Sequence, residues 1–357
     1  MPRHPRGTSG CQVTRRHEPL KPSLRAGARA RLHHHRPSNQ PGTGKEETAL
    51  PKHHRVSVNG ISLQITEQGE GPLVLLLHGF PETSYSWRHQ IQPLAEAGYR
   101  VVAPDQRGYG GTDCPEGIDH YTILHLVGDV VGLIHALGER QAVVVGHDWG
   151  AMVAWNTALI RPDVVRGVAG ISVPPLPRGP VPPMAAARER FGEDFYQVYF
   201  QQPHVAEAEL SKDIPATLRK VLAGTRTAAG EGVGGFLGPF AEPDVLPGWL
   251  TEADLATFAG QFSTSGFTGG LNWYRNLDRN WELTTAWQDA PITPPSLYLS
   301  GERDSVRGIY PPDFLDNPDV IVPNLRGVVD IPDSGHWTQQ ERPAEVNKAL
   351  LDFLSGL

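Results

Sequence analysis

Cysteine is scarce in this chain. Cys11 and Cys114 are the only two among 357 residues, too few for a disulfide framework, so a buried core has to hold the fold. Long apolar runs are absent too. No stretch approaches the ~20 residues needed to cross a membrane, and nothing near Met1 resembles the apolar core of a signal peptide. The expectation is a cytoplasmic protein, monomer or homodimer, with no membrane partner. Excess basic charge is also missing: the net charge is −7, which gives nucleic acid no reason to bind. No Gly-x-Gly-x-x-Gly follows an apolar run, so no dinucleotide cofactor is implied. Asp313, Asp316 and Asp319 read as a solvated loop, and no metal or other cofactor is expected. No internal repeat is visible.

What is present is ordinary for a globular protein, 39% hydrophobic and 20% charged residues. The length suits one large core with an inserted subdomain. Its centre is Val143-Val144-Val145-Gly146-His147-Asp148-Trp149-Gly150-Ala151. A β-branched run ends in Gly-x-Asp-x-Gly and passes straight into Met152-Val153-Ala154-Trp155-Asn156. This is a strand, a tight turn and a helix start. Where such a turn carries Ser it is the nucleophile elbow; here the tip is Asp148. A serine must be deprotonated by a base. A carboxylate, with a reference pKa of about 4, is already ionised at neutral pH. It can attack a saturated carbon that bears a leaving group, giving an alkyl ester that a second step must hydrolyse. Epoxide opening and halide displacement both fit. A turn that merely caps the next helix is the plainer alternative, and the flanking strand argues against it.

Residues 1–50 are rich in Arg, His, Pro, Gly and Ser and have few large apolar residues. Such a segment cannot bury enough surface to offset its ordering entropy, and disorder is expected. Val56-Ser57-Val58 and Ile61-Ser62-Leu63-Gln64-Ile65 flank Asn59-Gly60, a hairpin signal. Further strands are predicted over 72–77, 99–103, 142–145, 165–173, 296–300 and 328–331. Helices are predicted after Trp87, over 124–137, after the elbow and over 344–354. Apolar strands alternating with helices mean a mostly parallel sheet covered on both faces. The rhythm breaks from residue 174 to 285, where Pro-rich and Gly-rich stretches surround helical patches. The expected organisation is an α/β core of residues 51–173 and 286–357 with a helical cap of residues 174–285 inserted into it. Gly232-Val233-Gly234-Gly235 reads as flexibility within that cap.

An ester-forming nucleophile needs a base and an orienting acid, in chain order nucleophile, acid, histidine. Asp304 lies just past the strand that resumes the sheet. The other usual slot, after the strand over 165–173, offers only Pro174 and Pro175. His336, in Ser334-Gly335-His336-Trp337, follows the last strand and can face the elbow. A pKa near 6.5 lets it take a proton from water, with Asp304 fixing its tautomer. His147 beside the nucleophile is expected to support packing and hydrogen bonding.

These motifs, with His78-Gly79-Phe80-Pro81 and Asp105-Gln106-Arg107-Gly108-Tyr109-Gly110, resemble the α/β-hydrolase-fold epoxide hydrolases. Phe195-Tyr196-Gln197-Val198-Tyr199-Phe200, Val205-Ala206-Glu207-Ala208-Glu209-Leu210 and Leu271-Asn272-Trp273-Tyr274-Arg275-Asn276 resemble the cap of the soluble epoxide hydrolases, specifically their C-terminal hydrolase domain. The resemblance covers roughly residues 53–357. It implies an ether-bond hydrolase with no cofactor that turns a small apolar epoxide into a vicinal diol. It places Tyr196 and Tyr274 at the epoxide oxygen, and the backbone N–H groups of Phe80 and Trp149 at the oxyanion. A phenol of pKa near 10 can donate to the alkoxide that ring opening creates. Phe195, Trp273, Trp149 and Trp337 are expected to line an apolar pocket. Detoxification and a dedicated metabolic step would both use such a reaction. Haloalkane dehalogenase is the nearest rival, though a halide leaves without a proton and needs no paired tyrosines. A ligand binder on this fold that has lost catalysis is the alternative outside enzymes.

Overall fold

The computed structural model describes residues 50–226, 234–309 and 318–357. The stretch through residue 49, Gly232 and Val233, Asp313 and Asp316, and the side chain of Asp319 lie outside the described residues, and with them the expectations stated above for them.

The first hairpin forms where Asn-Gly supplies two positive φ angles, 44° at Asn59 and 78° at Gly60. That chemistry suits a two-residue hairpin turn. It joins β1 (Lys52–Val58) to β2 (Ile61–Gln68) in antiparallel register. β3 (Leu73–Leu77), β4 (Arg100–Pro104), β5 (Ala142–His147) and β6 (Val165–Ile171) follow, with α1 (Ile91–Glu96), α2 (Ile123–Ala136) and α3 (Trp149–Ile160) between them. The eight-stranded sheet has the order β1-β2-β4-β3-β5-β6-β9-β10, in which β9 is Ser296–Gly301 and β10 is Leu325–Ile331. From β4 onward every pairing is parallel.

β3 and β5 are buried on both faces, so they read as unbroken Leu and Val runs rather than alternating ones. The period of two still divides them. Leu75, Leu77 and Val144 pack toward α2 and α3, whereas Val74, Leu76, Val143 and Val145 pack toward α1 and the last helix. Emptying one such position, as in Leu75→Ala, costs about 2–5 kcal/mol.

The chain leaves the sheet at Ile171 and returns at Ser296, yet β6 and β9 pair directly, Ile171 opposite Leu299. β6 stops two residues short of the predicted end because Ser172 turns to a positive φ of 75°. Between these strands lie α4 (Pro183–Phe191), α5 (Tyr196–Tyr199), α6 (Val205–Leu210), α7 (Ile214–Ala223), α8 (Glu252–Ser265), α9 (Thr268–Arg275) and α10 (Leu277–Leu283), with a short pair β7 (Thr225–Arg226) and β8 (Phe240–Ala241). Thr251 and Asp254 close a capping box at the start of α8. Phe200, Phe258, Phe262, Phe267 and Trp273 fill the space between these helices and the sheet. After β9 come α11 (Pro318–Ile321), β10, α12 (Thr338–Glu341) and α13 (Pro343–Ser355). Among the described residues no helix is long and apolar enough to cross a membrane.

Candidate active site

β5 ends at His147 and α3 begins at Trp149, leaving Asp148 alone on the turn with φ 52° and ψ −119°. A non-glycine residue there carries strain on the order of 1–3 kcal/mol, which the surroundings must hold in place. They do so by close approach. A Cβ on Gly146 would lie 2.0 Å from the Gly150 carbonyl oxygen, and one on Gly150 2.0 Å from the Leu77 oxygen. The helix start is thereby pressed onto β3, and Asp148 is lifted to the carboxyl end of the sheet. The loop after β3 meets it there: the Phe80 backbone N–H donates to Asp148 Oδ1 at 2.9 Å. Among the described residues this is the one backbone hydrogen bond to that carboxylate. The Trp149 N–H belongs to the first turn of α3, where helices leave donors without an intrahelical partner.

His336 lies between β10 and α12. Its Nε2 is 3.8 Å from Asp148 Oδ2, and its Nδ1–H donates to Asp304 Oδ1 at 3.1 Å. Asp304 follows β9 and is almost wholly buried; it also accepts the Val306 N–H at 2.9 Å. Burial alone would raise the Asp304 pKa, but the charge and hydrogen bond of His336 win and hold it at about 2. Burial alone would lower His336; the charge of Asp304, its hydrogen bond, and then Asp148 and Glu82 raise it to about 9. Three residues far apart in the chain thus form one line, Asp148, His336, Asp304.

Two neighbours carry no signal in the sequence reading. Ser172, at the end of β6, places Oγ 3.1 Å from His336 Nδ1. It fills the slot that the reading judged by Pro174 and Pro175. Glu82 follows the His-Gly-Phe-Pro motif directly and is wholly buried. It accepts from His147 Nδ1 at 2.8 Å, from Gln340 Nε2 at 2.8 Å and from Gln339 Nε2 at 3.1 Å. Burial opposes its ionisation, but the His147 charge and hydrogen bond outweigh that and lower its pKa. His147 Nε2–H in turn donates to the His336 carbonyl at 2.8 Å. His147 does the supporting job expected of it, with Glu82 as its partner.

The helical insertion supplies the opposite wall. Tyr274, near the end of α9, is 4% exposed and stands edge-on to Trp149 at 5.0 Å and to Phe80 at 5.6 Å. Tyr196 opens α5, 5.9 Å from Tyr274 ring to ring, and its hydroxyl accepts from Gln197 Nε2 at 3.0 Å. Burial first, and then the Asp148 charge, push the Tyr274 pKa well above its ordinary value, so its phenol keeps its proton. Tyr199 donates to Glu209 at 3.0 Å, outside this pair. Phe195 stacks on Phe191 and meets Tyr196 edge-on at 4.7 Å. Trp337 packs on His336 at 4.6 Å. Trp273 is wholly buried behind Trp149, and its indole N–H donates to the Arg107 carbonyl at 3.1 Å.

The geometry therefore brings together a carboxylate on the elbow, a backbone donor to it, a carboxylate-bound histidine and two phenols. Known proteins share this fold and much of this sequence. A family model described as alpha/beta hydrolase fold matches residues 72–343. Epoxide hydrolase A of Mycobacterium tuberculosis is 48% identical over 319 residues, covering 86% of this chain and 98% of that one. Bifunctional epoxide hydrolase 2 of Sus scrofa is 40% identical over 322 residues, covering 88% of this chain and 57% of that one. The crystal structure of Epoxide Hydrolase A from Mycobacterium thermoresistibile superposes with a TM-score of 0.82 at 48% identity, over 86% of this chain and 99% of that one. A carboxylate at the elbow, two phenols opposite it and this degree of identity together place the chain in the α/β-hydrolase-fold epoxide hydrolases.

Proposed function

We propose that this enzyme converts an apolar epoxide and water to a vicinal diol through an alkyl ester on Asp148. The observation that carries the reading is the two-sided hold on that carboxylate. Oδ1 is tied to the Phe80 N–H, and Oδ2 lies 3.8 Å from His336 Nε2. Oδ2 attacks a ring carbon and the C–O bond opens. Tyr196 and Tyr274 donate to the departing oxygen, which leaves as a hydroxyl. General acid help of this kind is worth ~10²–10⁴ in rate. Water then attacks Cγ of the ester. His336 takes its proton, and the oxyanion forms on Oδ1 with the N–H groups of Phe80 and Trp149 around it. Collapse breaks the bond from Cγ to the diol oxygen, which takes the proton from His336, and the Asp148 acid then returns a proton to His336. Losing one such donor typically costs about 10²–10³ in kcat.

The His336–Asp148 distance of 3.8 Å is beyond hydrogen-bond range. It suits a base that serves a water molecule rather than the nucleophile, which needs no base. The charge balance supports the order of events. With Asp148 ionised, His336 has its pKa raised to about 9 and holds a proton. Ring opening leaves a phenolate and an uncharged ester; the proton of His336 passes to the phenolate, and the neutral imidazole is then able to accept a proton from water. The helical segment of residues 174–285 would act as the cap that closes the site and excludes bulk water.

A halide would need indole or amide N–H donors instead. The Trp273 indole is bound to the Arg107 carbonyl, which disfavours dehalogenation. Incubation with a panel of aryl and alkyl epoxides beside haloalkanes tests the reading. Diol without halide is the expected result. Halide without diol would make the protein a dehalogenase.

A further inference from the structure

The reaction above gives the loop between β4 and α2 no task. It is pinned from below. The Gln106 N–H donates to His78 Nε2 at 2.9 Å, and the Gln106 side chain donates to the His78 carbonyl at 2.6 Å, just before Gly79 and Phe80. Arg107 makes a two-pronged pair with Asp129 at 2.7 and 2.6 Å, buried to a few per cent exposure. Asp129 is also held by Asn59 at 2.8 Å. A bidentate pair of this kind fixes orientation as well as position.

On its upper side the same loop touches α9 backbone to backbone. Gly108 has φ 88°, and a Cβ built on it would lie 2.8 Å from Gly269 Cα. The reverse is tighter: a Cβ on Gly269 would lie 2.5 Å from Gly108 Cα and 2.5 Å from its carbonyl oxygen. A Cβ on Gly270 would meet the Tyr109 hydroxyl at 2.6 Å and the Phe80 ring at 2.8 Å. One turn further along α9, Trp273 donates to the Arg107 carbonyl at 3.1 Å, and the next residue is Tyr274. One rigid loop therefore grips both the strand end that carries the Phe80 donor and the helix that carries the phenol.

We propose that Gly108 and Gly269 are positioning residues: a contact without side chains that sets how closely α9 approaches Asp148 and so places the Tyr274 hydroxyl for ring opening. This rests on the acid role given to Tyr274 above. A methyl group on Gly269 must move from 2.5 Å to an ordinary contact of 3.4 Å, a displacement of roughly 0.9 Å shared between helix and loop. A misplacement near 1 Å can cost about 10²-fold in rate. The effect falls mainly on ring opening, because the loop is fixed to the Phe80 strand end by Gln106 and to Asp129 by Arg107, so α9 yields more than the oxyanion donor does.

The test is stopped-flow tryptophan fluorescence with styrene oxide, resolving ester formation from ester hydrolysis, on wild type, Gly269→Ala, Tyr274→Phe and the double variant. Circular dichroism and thermal melts confirm folding. Gly269→Ala is expected to slow ester formation about 10–100-fold and change hydrolysis less than about threefold. Placed on Tyr274→Phe, it should slow ester formation by much less than it does alone, since the group it positions is gone. Equal slowing of both steps, an unchanged first step, or losses that simply multiply in the double variant would overturn the proposal. If Gly269→Ala does not fold, Trp273→Phe, which removes the hydrogen bond to Arg107 and keeps a ring, carries the same comparison with an expected loss of about tenfold. Normal ester formation in Tyr274→Phe would remove the acid role itself. A slowed Tyr274→Phe beside a normal Gly269→Ala would remove only the positioning role.

Discussion

His147 and His336 stand side by side, ring centroids 4.9 Å apart, each bound through Nδ1 to a buried carboxylate. Glu82 holds His147 at 2.8 Å and Asp304 holds His336 at 3.1 Å. The pairs differ at the other nitrogen. His147 Nε2 is used on the His336 carbonyl, and its side chain is 0% exposed. His336 Nε2 faces Asp148, and its side chain is 19% exposed. Pairing with a carboxylate orients an imidazole; in the proposed reaction, access to Asp148 is what gives it chemistry. The inner pair holds up the backbone of the outer one.

The sharpest way to break this contrast is to remove each histidine in turn. His336→Gln should still open the epoxide but stall at the ester, lowering turnover by roughly 10⁴-fold or more. Intact-protein mass spectrometry should then find one substrate equivalent bound to Asp148. His147→Gln should keep turning over with a loss of about tenfold and a lower Tm, the cost of disturbing the hydrogen bond that the buried Glu82 accepts from it. If both variants trapped the ester, the two rings would share the base function.

The carboxylates come next. Asp304→Asn should lower kcat about 10²–10⁴-fold by releasing the tautomer of His336. Glu82→Gln should act on stability more than on rate, costing about 1–3 kcal/mol in chemical denaturation because it disturbs acceptors for Gln339, Gln340 and His147 at once.

Smaller effects follow from pH. The Tyr274 pKa lies well above its ordinary value, so single-turnover ring opening should be flat from about pH 6 to 9. Ester hydrolysis needs neutral His336 and should rise with pH over the same span. The ion pair also contributes to stability. His336 is raised from 6.5 to about 9, so its contribution is complete below pH 6.5 and is lost as pH climbs through 9. Asp304 is lowered from 3.8 to about 2, so its contribution is present above pH 3.8 and is lost as pH falls through 2. The Tm gap between wild type and Asp304→Asn should therefore be widest between pH 3.8 and 6.5.

The outer pair was legible in the sequence and the inner one was not. Asp148 shows itself because a sharp turn needs glycines at fixed offsets and a β-branched run before it. His336 and Asp304 show themselves because a strand end followed by a loop places them at the carboxyl edge of the sheet. Chain order then separates them from other histidines and aspartates. Glu82 reaches His147 across 65 positions and Gln340 across 258, with no local pattern to announce either contact. Ser172 is one small polar residue at a strand end, and only folding brings it to His336. The tyrosines are an intermediate case. Aromatic residues at helical spacing are usually packing, and resemblance to a family, not spacing, singled out Tyr196 and Tyr274. The layers of the sheet followed from periodicity, and the end of β6 did not, because Ser172 takes a positive φ that its residue type rarely adopts.

The claim at the centre of this account is that Asp148, not water, attacks the epoxide. A single turnover with enzyme in excess, run in ¹⁸O water, tests it directly. The account predicts a diol containing only ordinary oxygen, with one ¹⁸O left in the peptide that carries Asp148. Label in the diol of that first turnover, with none in the peptide, would contradict it and leave Asp148 as a base for water rather than the nucleophile.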